Sequence, residues 1–128
     1  MITEALLTAY LKHKYSKLLT FDEFHQLDPP KPHAGRDYLL YIHVPFCEEL
    51  CPYCSFNRFP LEKELASLYF ETLKKEIRLY KELGFDFSSV YVGGGTPTVL
   101  PRAVAELLNE IRNHFRVKEI SLETNPNH

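Results

Sequence analysis

The chain has 128 residues and a mass of 15.0 kDa, a length that sets an upper limit of one compact domain. With 45% hydrophobic, 13% aromatic and 25% charged residues, its composition is that of a globular protein and excludes disordered, collagen-like and coiled-coil classes. The net charge of -2 argues against nucleic acid or anionic lipid as partner, and no apolar window is long enough for a membrane span.

The first predicted element is a helix over residues 2–27, where apolar side chains recur near the helical period without Gly or Pro. A proline-rich break at 28–32 follows it and predicts a linker. Residues 1–36 are therefore predicted to be a helical extension with its linker. Residues 37–128 are predicted to form the core domain.

Strands and helices are predicted to alternate in this core. The nearly all-apolar run Tyr38–Val44 predicts a strand buried on both faces. Apolar side chains at three- and four-residue steps predict a helix over 61–83, with Gly84 at its C′ position. The remaining predicted elements are a short strand at 90–92, a helix that opens at Leu100 and Pro101, and a strand at 117–122.

This order predicts an α/β fold with a parallel sheet and right-handed crossovers. Ligand sites of such sheets lie at the carboxyl ends of the strands. Three strands are too few to close a barrel and leave an unprotected edge. We therefore expect the chain to be the amino-terminal part of a longer polypeptide.

All three cysteines, Cys47, Cys51 and Cys54, follow the first predicted strand. Their odd number argues against a disulfide framework, and three close thiolates suit an iron-sulfur cluster with one iron left open to a chelating small molecule. Two other interpretations remain open from the residues alone. One is a zinc site completed by His43, and the other is a set of inert, reduced cysteines.

Three segments together carry a family resemblance. They are YIHVPFCEELCPYCSFN at 41–57, GGGTPT at 93–98 and EISLETNP at 119–126. In this order they resemble the radical S-adenosylmethionine (SAM) superfamily, and more narrowly its branch of oxygen-independent coproporphyrinogen III oxidases (HemN) and HemW heme chaperones. The resemblance implies the partial α/β barrel of that superfamily, of which this chain would supply about the first half.

The resemblance also implies a role for individual residues. The three cysteines would hold a 4Fe-4S cluster as its metal ligands. The residues implied in SAM binding are Tyr41, Tyr53, Gly94, Gly95, Thr96 and Glu123. Taken without the resemblance, the glycines indicate a tight turn whose N–H and C=O groups are accessible to a ligand, Glu123 a solvated acid, and Tyr41 a core aromatic.

In such proteins the cluster passes an electron to SAM, and the resulting 5′-deoxyadenosyl radical abstracts hydrogen from a substrate. The resemblance therefore implies a low-potential electron donor of flavodoxin or ferredoxin type, a tetrapyrrole or heme partner, and a reducing, cytoplasmic setting. By itself the 128-residue chain is expected to turn over little or nothing, because it lacks the strands that complete the SAM pocket.

Phe56 departs from the oxidase pattern, which the resemblance expects to carry a further cysteine at this place. The departure puts oxidative decarboxylation of coproporphyrinogen in doubt and favours the HemW-like group, although members that open the heme ring by methyl transfer lack that cysteine too. Three hypotheses follow: a radical SAM enzyme acting on a tetrapyrrole, a heme-binding chaperone, and a zinc-stabilised interaction module.

Overall fold

A computed structural model describes residues 2–16 and 29–126 of the chain. The described elements are, in order, α1 (Ile2–Tyr15), β1 (Tyr38–Val44), β2 (Phe46–Cys47), β3 (Phe59–Pro60), α2 (Lys63–Glu82), β4 (Phe87–Gly94), a 3-10 turn (Pro97–Val99), α3 (Pro101–His114) and β5 (Glu119–Leu122). The predicted first helix is confirmed over α1 and ends at Tyr15, since Ser16 lies in a turn; the rest of the predicted span, residues 17–27, lies outside the described residues. None of the described helices is both long and apolar enough to cross a membrane.

Strands β1, β4 and β5 form one parallel sheet in the order β1–β4–β5, which confirms the predicted α/β architecture. Tyr41 pairs with Tyr91 in the β1–β4 register, and Tyr91 pairs with Ser121 in the β4–β5 register. Because all three strands run the same way, the segments that follow Val44, Gly94 and Leu122 meet at one edge of the sheet.

Helices α2 and α3 cover one face of the sheet and bury a shared apolar core. Its fully buried side chains include Val44, Phe70, Val90, Val92, Leu107 and Ile111. The opposite face is open in the described part of the chain. There Leu39 is 60% and Tyr41 52% exposed, so the prediction that β1 is buried on both faces is wrong. An apolar run reports a strand's hydrophobicity, whereas its burial depends on whether another layer covers each face.

Local signals placed the helix ends well. The α2 helix ends in a Schellman motif, in which Gly84, at φ +89°, donates to the Lys81 oxygen and Phe85 donates to the Tyr80 oxygen. Pro101 occupies the first turn of α3, where a missing N–H costs no helical hydrogen bond. The β4 strand is longer than the predicted 90–92, because Phe87 and Ser89 before that span and Gly93 and Gly94 after it also pair with β1.

A two-residue parallel ladder between β2 and β3 closes the base of the cysteine loop, residues 48–58. The Phe59 N–H donates to the Pro45 oxygen at 2.6 Å, and the Leu61 N–H donates to the Cys47 oxygen at 2.8 Å. These two short strands were not predicted from the sequence. Their effect is to hold Cys47 beside the carboxyl ends of β1 and β4.

Candidate functional site

One cavity lies at the carboxyl ends of the strands and brings most of the predicted site residues together. Its volume is about 420 Å³, within the range of small-molecule sites. The predicted residues that line it are Cys47, Cys51, Tyr53, Cys54, Gly94, Gly95, Thr96 and Glu123. Tyr41 is the predicted site residue that does not line this cavity. These side chains come from three separate segments that only the parallel topology places side by side.

The three cysteines differ in exposure, and none forms a disulfide. Cys47, held in β2, is buried, and its sulfur accepts a hydrogen bond from the Thr96 hydroxyl at 3.6 Å. Cys51 is exposed and Cys54 is half-buried, with the Cys54 N–H donating to the Cys51 oxygen at 3.2 Å. Within the described residues no three His, Cys, Asp or Glu side chains are gathered closely enough to hold a metal ion.

The predicted cluster is compatible with this cavity in its donor chemistry. Three free thiols line one pocket, and cysteine thiolates are the ligands that iron-sulfur clusters use. His43 is poorly placed to complete a zinc site. Its Nε2 lies 2.8 Å from the Asn57 carbonyl oxygen, which can only accept, so Nε2 carries the proton. Its Nδ1 then accepts from the Tyr41 hydroxyl at 2.9 Å, which leaves neither ring nitrogen free for a metal.

The glycine turn is packed against the cysteine loop more tightly than the sequence indicates. A Cβ on Gly94, at φ +122°, would lie 2.8 Å from the Val44 oxygen, and one on Gly95 would lie 2.8 Å from the Phe46 oxygen. The Gly95 and Thr96 N–H groups donate to those same two oxygens, each at 2.8 Å.

The N–H groups of Gly94 and Gly95, which were expected to serve a ligand, are therefore already used inside the protein, by Glu123 and by the Val44 oxygen. That part of the glycine expectation is wrong, because the turn uses these donors to hold Glu123 and the end of β1. Carbonyl oxygens keep a second lone pair after one hydrogen bond. The turn can thus still accept hydrogen bonds, which suits a cationic ligand group such as an ammonium.

Glu123 follows β5 and reaches across to β4. Its Oε1 accepts a hydrogen bond from the Tyr91 hydroxyl, and its Oε2 accepts one from the Gly94 N–H at 3.2 Å. A carboxylate offers about four lone-pair positions. Glu123 is therefore oriented by two protein donors and keeps acceptor capacity toward the cavity.

Tyr41 lies on the open face of the sheet, one step removed from the cavity. Its ring stacks on that of Tyr91 with centroids 5.9 Å apart and planes 25° apart. Tyr53 lines the cavity and is 86% exposed. A hydrogen bond with the Cys51 side chain is the main cause that raises the pKa of Tyr53, so its phenol stays protonated at neutral pH.

Sequence reasoning missed Arg58 and Tyr91. Arg58 lines the cavity and donates from its guanidinium to the Cys51 oxygen, while its buried Nε has no partner within the described residues. No motif marks this arginine. Tyr91 was assigned only to a strand, but strand alternation places it on the same face as Gly93 of the glycine motif, and this pattern is the signal that could have singled it out.

This chain shares sequence and fold with known proteins. The family model described as the Radical SAM superfamily matches residues 41–128. An oxygen-independent coproporphyrinogen III oxidase from Bradyrhizobium diazoefficiens is 40% identical over 101 residues, which cover 73% of this chain and 22% of that protein. A heme chaperone HemW from Bacillus subtilis is 32% identical over 93 residues, which cover 67% of this chain and 24% of the chaperone.

A solved structure, that of coproporphyrinogen III oxidase (HemN) from Escherichia coli, described as a radical SAM enzyme, superimposes with a TM-score of 0.62. The two sequences are 33% identical, and the match covers 70% of this chain and 23% of the oxidase. The matched part of the chain thus covers less than a quarter of the length of each of these three relatives.

Proposed function

Because this chain belongs to the radical SAM superfamily, we propose that it forms part of an iron-sulfur protein that cleaves S-adenosylmethionine reductively and acts on a porphyrin- or heme-related substrate. The proposal includes a low-potential electron donor of flavodoxin or ferredoxin type and a cytoplasmic setting, since low-potential clusters need a reducing environment.

One observation carries this proposal. Three free cysteines, a glycine turn and an oriented carboxylate line the same cavity at the carboxyl ends of a parallel sheet. Thiolates suit the cluster, and the carboxylate with backbone carbonyls suits the ammonium and ribose hydroxyls of SAM. No single segment of the sequence supplies all of these groups.

The cysteines and the glycine turn have different proposed roles. Cys47, Cys51 and Cys54 would hold the cluster, which when bound supplies the electron for the cleavage of SAM. Gly94 and Gly95 let the turn pack directly against the backbone of Val44 and Phe46 because they carry no side chain. Thr96 stabilises the turn through its bond to the Cys47 sulfur.

The SAM side of the cavity would use acceptors and aromatic surface. Glu123 would accept from the ammonium or a ribose hydroxyl, with its carboxylate held by its two protein donors. Tyr53 presents an exposed ring in the cavity, on which a flat base can stack. Tyr41 would contact SAM from the open face of the sheet, where its ring stacks on that of Tyr91.

The test is anaerobic reconstitution of the full-length protein with iron and sulfide. We expect about four irons and four sulfides per chain, and 5′-deoxyadenosine when SAM and dithionite are added. Changing any one of the cysteines to serine should abolish both results. Ser55→Ala, an exposed change inside the same loop, is the matched control and should abolish neither. Stable uptake of one zinc ion, without iron, would contradict the proposal.

A second candidate function is heme binding and delivery, as in HemW-type chaperones. Phe56 favours it, because this aromatic side chain occupies the place where the oxidase pattern has a cysteine, lines the cavity and is 67% exposed. Heme titration and a coproporphyrinogen turnover assay on the full-length protein distinguish the candidates. Tight heme binding without porphyrinogen turnover supports the chaperone, and turnover without heme binding supports the oxidase.

A further inference from the structure

A connected row of polar and aromatic side chains crosses the open face of the sheet beside the cavity. It runs from Glu123 through Tyr91 and Tyr41 to His43. At its far end the His43 Nε2–H donates to the Asn57 oxygen, near the end of the cysteine loop. The row therefore links the carboxylate proposed to bind SAM with the loop proposed to bind the cluster.

Tyr91 is the central member of this row. Its hydroxyl donates to Glu123 Oε1, and the Gly94 N–H donates to Oε2, so each carboxylate oxygen has its own donor. The hydrogen bond to Glu123 is the main cause that raises the pKa of Tyr91. The phenol therefore remains a donor at neutral pH.

Gly93 makes this pairing sterically possible. A Cβ there would lie 2.9 Å from the Tyr91 ring and 3.0 Å from Glu123 Oε2. The first glycine of the triplet thus contacts different groups from the other two, which pack against backbone oxygens. Its missing side chain leaves the space in which Tyr91 and Glu123 meet.

We infer that Tyr91 is a positioning residue for SAM: its hydroxyl fixes the orientation of Glu123, and its ring fixes that of Tyr41. The inference rests on the proposed function. An unrestrained glutamate at an exposed strand end would lose side-chain freedom when it binds a ligand. Because Tyr91 and Gly94 already hold the carboxylate, that cost is met when the protein folds, and SAM binds more tightly.

The test is Tyr91→Phe in the reconstituted full-length protein, which removes the hydroxyl and keeps the stacked ring. A hydrogen bond to a charged acceptor contributes enough that its loss should raise the SAM Kd by roughly tenfold, measured by equilibrium dialysis. Iron and sulfide content, the thermal unfolding midpoint and the EPR spectrum of the reduced cluster without SAM should stay unchanged. A purely structural role would alter these instead of the Kd.

Tyr38→Phe is the matched control. It removes a tyrosine hydroxyl from the start of β1, where the hydroxyl accepts from the His33 N–H, far along the strand from the cavity. Its SAM Kd should equal that of the unaltered protein. In a Glu123→Ala background, which removes the acceptor of the Tyr91 hydroxyl, Tyr91→Phe should add much less than it does alone, because both changes remove the same hydrogen bond.

The outcomes separate the inference from the function beneath it. Unchanged SAM affinity in Tyr91→Phe, with normal SAM binding by the unaltered protein, would overturn the inference alone. Fully additive losses in the double variant would also overturn it, since Tyr91 would then act independently of Glu123. Failure of the unaltered, cluster-loaded protein to bind SAM would overturn the proposed function, and the inference with it.

Discussion

At Gly95, the addition of one carbon should disturb assembly of the site more than folding of the sheet. A Cβ there would lie 2.8 Å from the Phe46 backbone oxygen and 2.9 Å from the Cys47 sulfur. Because a backbone oxygen cannot rotate away, Gly95→Ala must displace the turn or β2. We expect a marked fall in iron uptake on reconstitution and a loss of ~1–3 kcal/mol in the free energy of unfolding, measured by denaturant titration.

Gly35→Ala is the matched control for this change. Gly35 has φ +76°, and an added Cβ would meet nothing within 4 Å. The substitution introduces backbone strain of ~1–2 kcal/mol but no collision. Iron uptake should be unaffected. Equal iron losses in the two variants would show that destabilisation, rather than the contact with Cys47, controls assembly of the site.

At the scale of elements, two ion pairs that lie one helical turn apart join α2 to α3. Lys74 bonds Glu106 at 2.8 Å, and Arg78 bonds Glu110 at 2.6 Å. The bond from Arg78, supported by one from His114 at 3.2 Å, holds the pKa of Glu110 below its ordinary value of 4.5. A carboxyl whose pKa is lower in the folded state stabilises that state at higher pH, and the effect is lost as pH falls through the folded pKa.

Glu110→Gln should therefore reduce the free energy of unfolding at neutral pH by ~0.5 kcal/mol, a small loss because the pair is partly exposed to solvent. The difference from the unaltered protein should shrink progressively below pH 4.5. Chemical denaturation at a series of pH values measures it. Glu76→Gln on α2, for which the described residues show no ion pair, is the control and should give no such pH dependence. A constant difference down to acid pH would contradict the assigned role.

At the scale of the whole molecule, one core joins α2 and α3 to the sheet, so damage to it should lower the stability of these elements together. Leu107 on α3 is fully buried in that core. Leu107→Ala should cost ~2–5 kcal/mol in the free energy of unfolding. The chain has eight tyrosines and no tryptophan, so tyrosine fluorescence reports packing and circular dichroism reports helix content.

Leu108, the next residue, is only partly buried against the same core, and Leu108→Ala should cost clearly less. The two probes should show coincident transitions in both variants. Separate transitions in Leu107→Ala would mean that the helical layer and the sheet unfold independently, which a shared core does not allow.

Much of the fold was predictable because its signals are local. Each helix carries its own signals within a short segment. These are the apolar residues at three- and four-residue steps, together with Gly84 after α2 and Pro101 at the start of α3. Burial of β1 was not predictable, since it depends on which layers cover the sheet. The ladder of Phe46 with Phe59 was also hidden, because two-residue strands are too short to show a period.

The site divides in the same way. The cysteines, the glycine turn and Glu123 carry motifs that can be read within single segments. The bond of Tyr91 to Glu123 joins positions 32 apart and depends on the strand register, which a single sequence does not supply. Arg58 reaches the Cys51 oxygen only because the loop folds back on itself.

The β2–β3 ladder fastens both ends of the cysteine loop with main-chain hydrogen bonds that need no sulfur chemistry. Under the proposed function, oxygen would then destroy the iron-sulfur cluster without unfolding the cysteine loop. Reassembly of the cluster would then require iron and sulfide but no refolding of the loop.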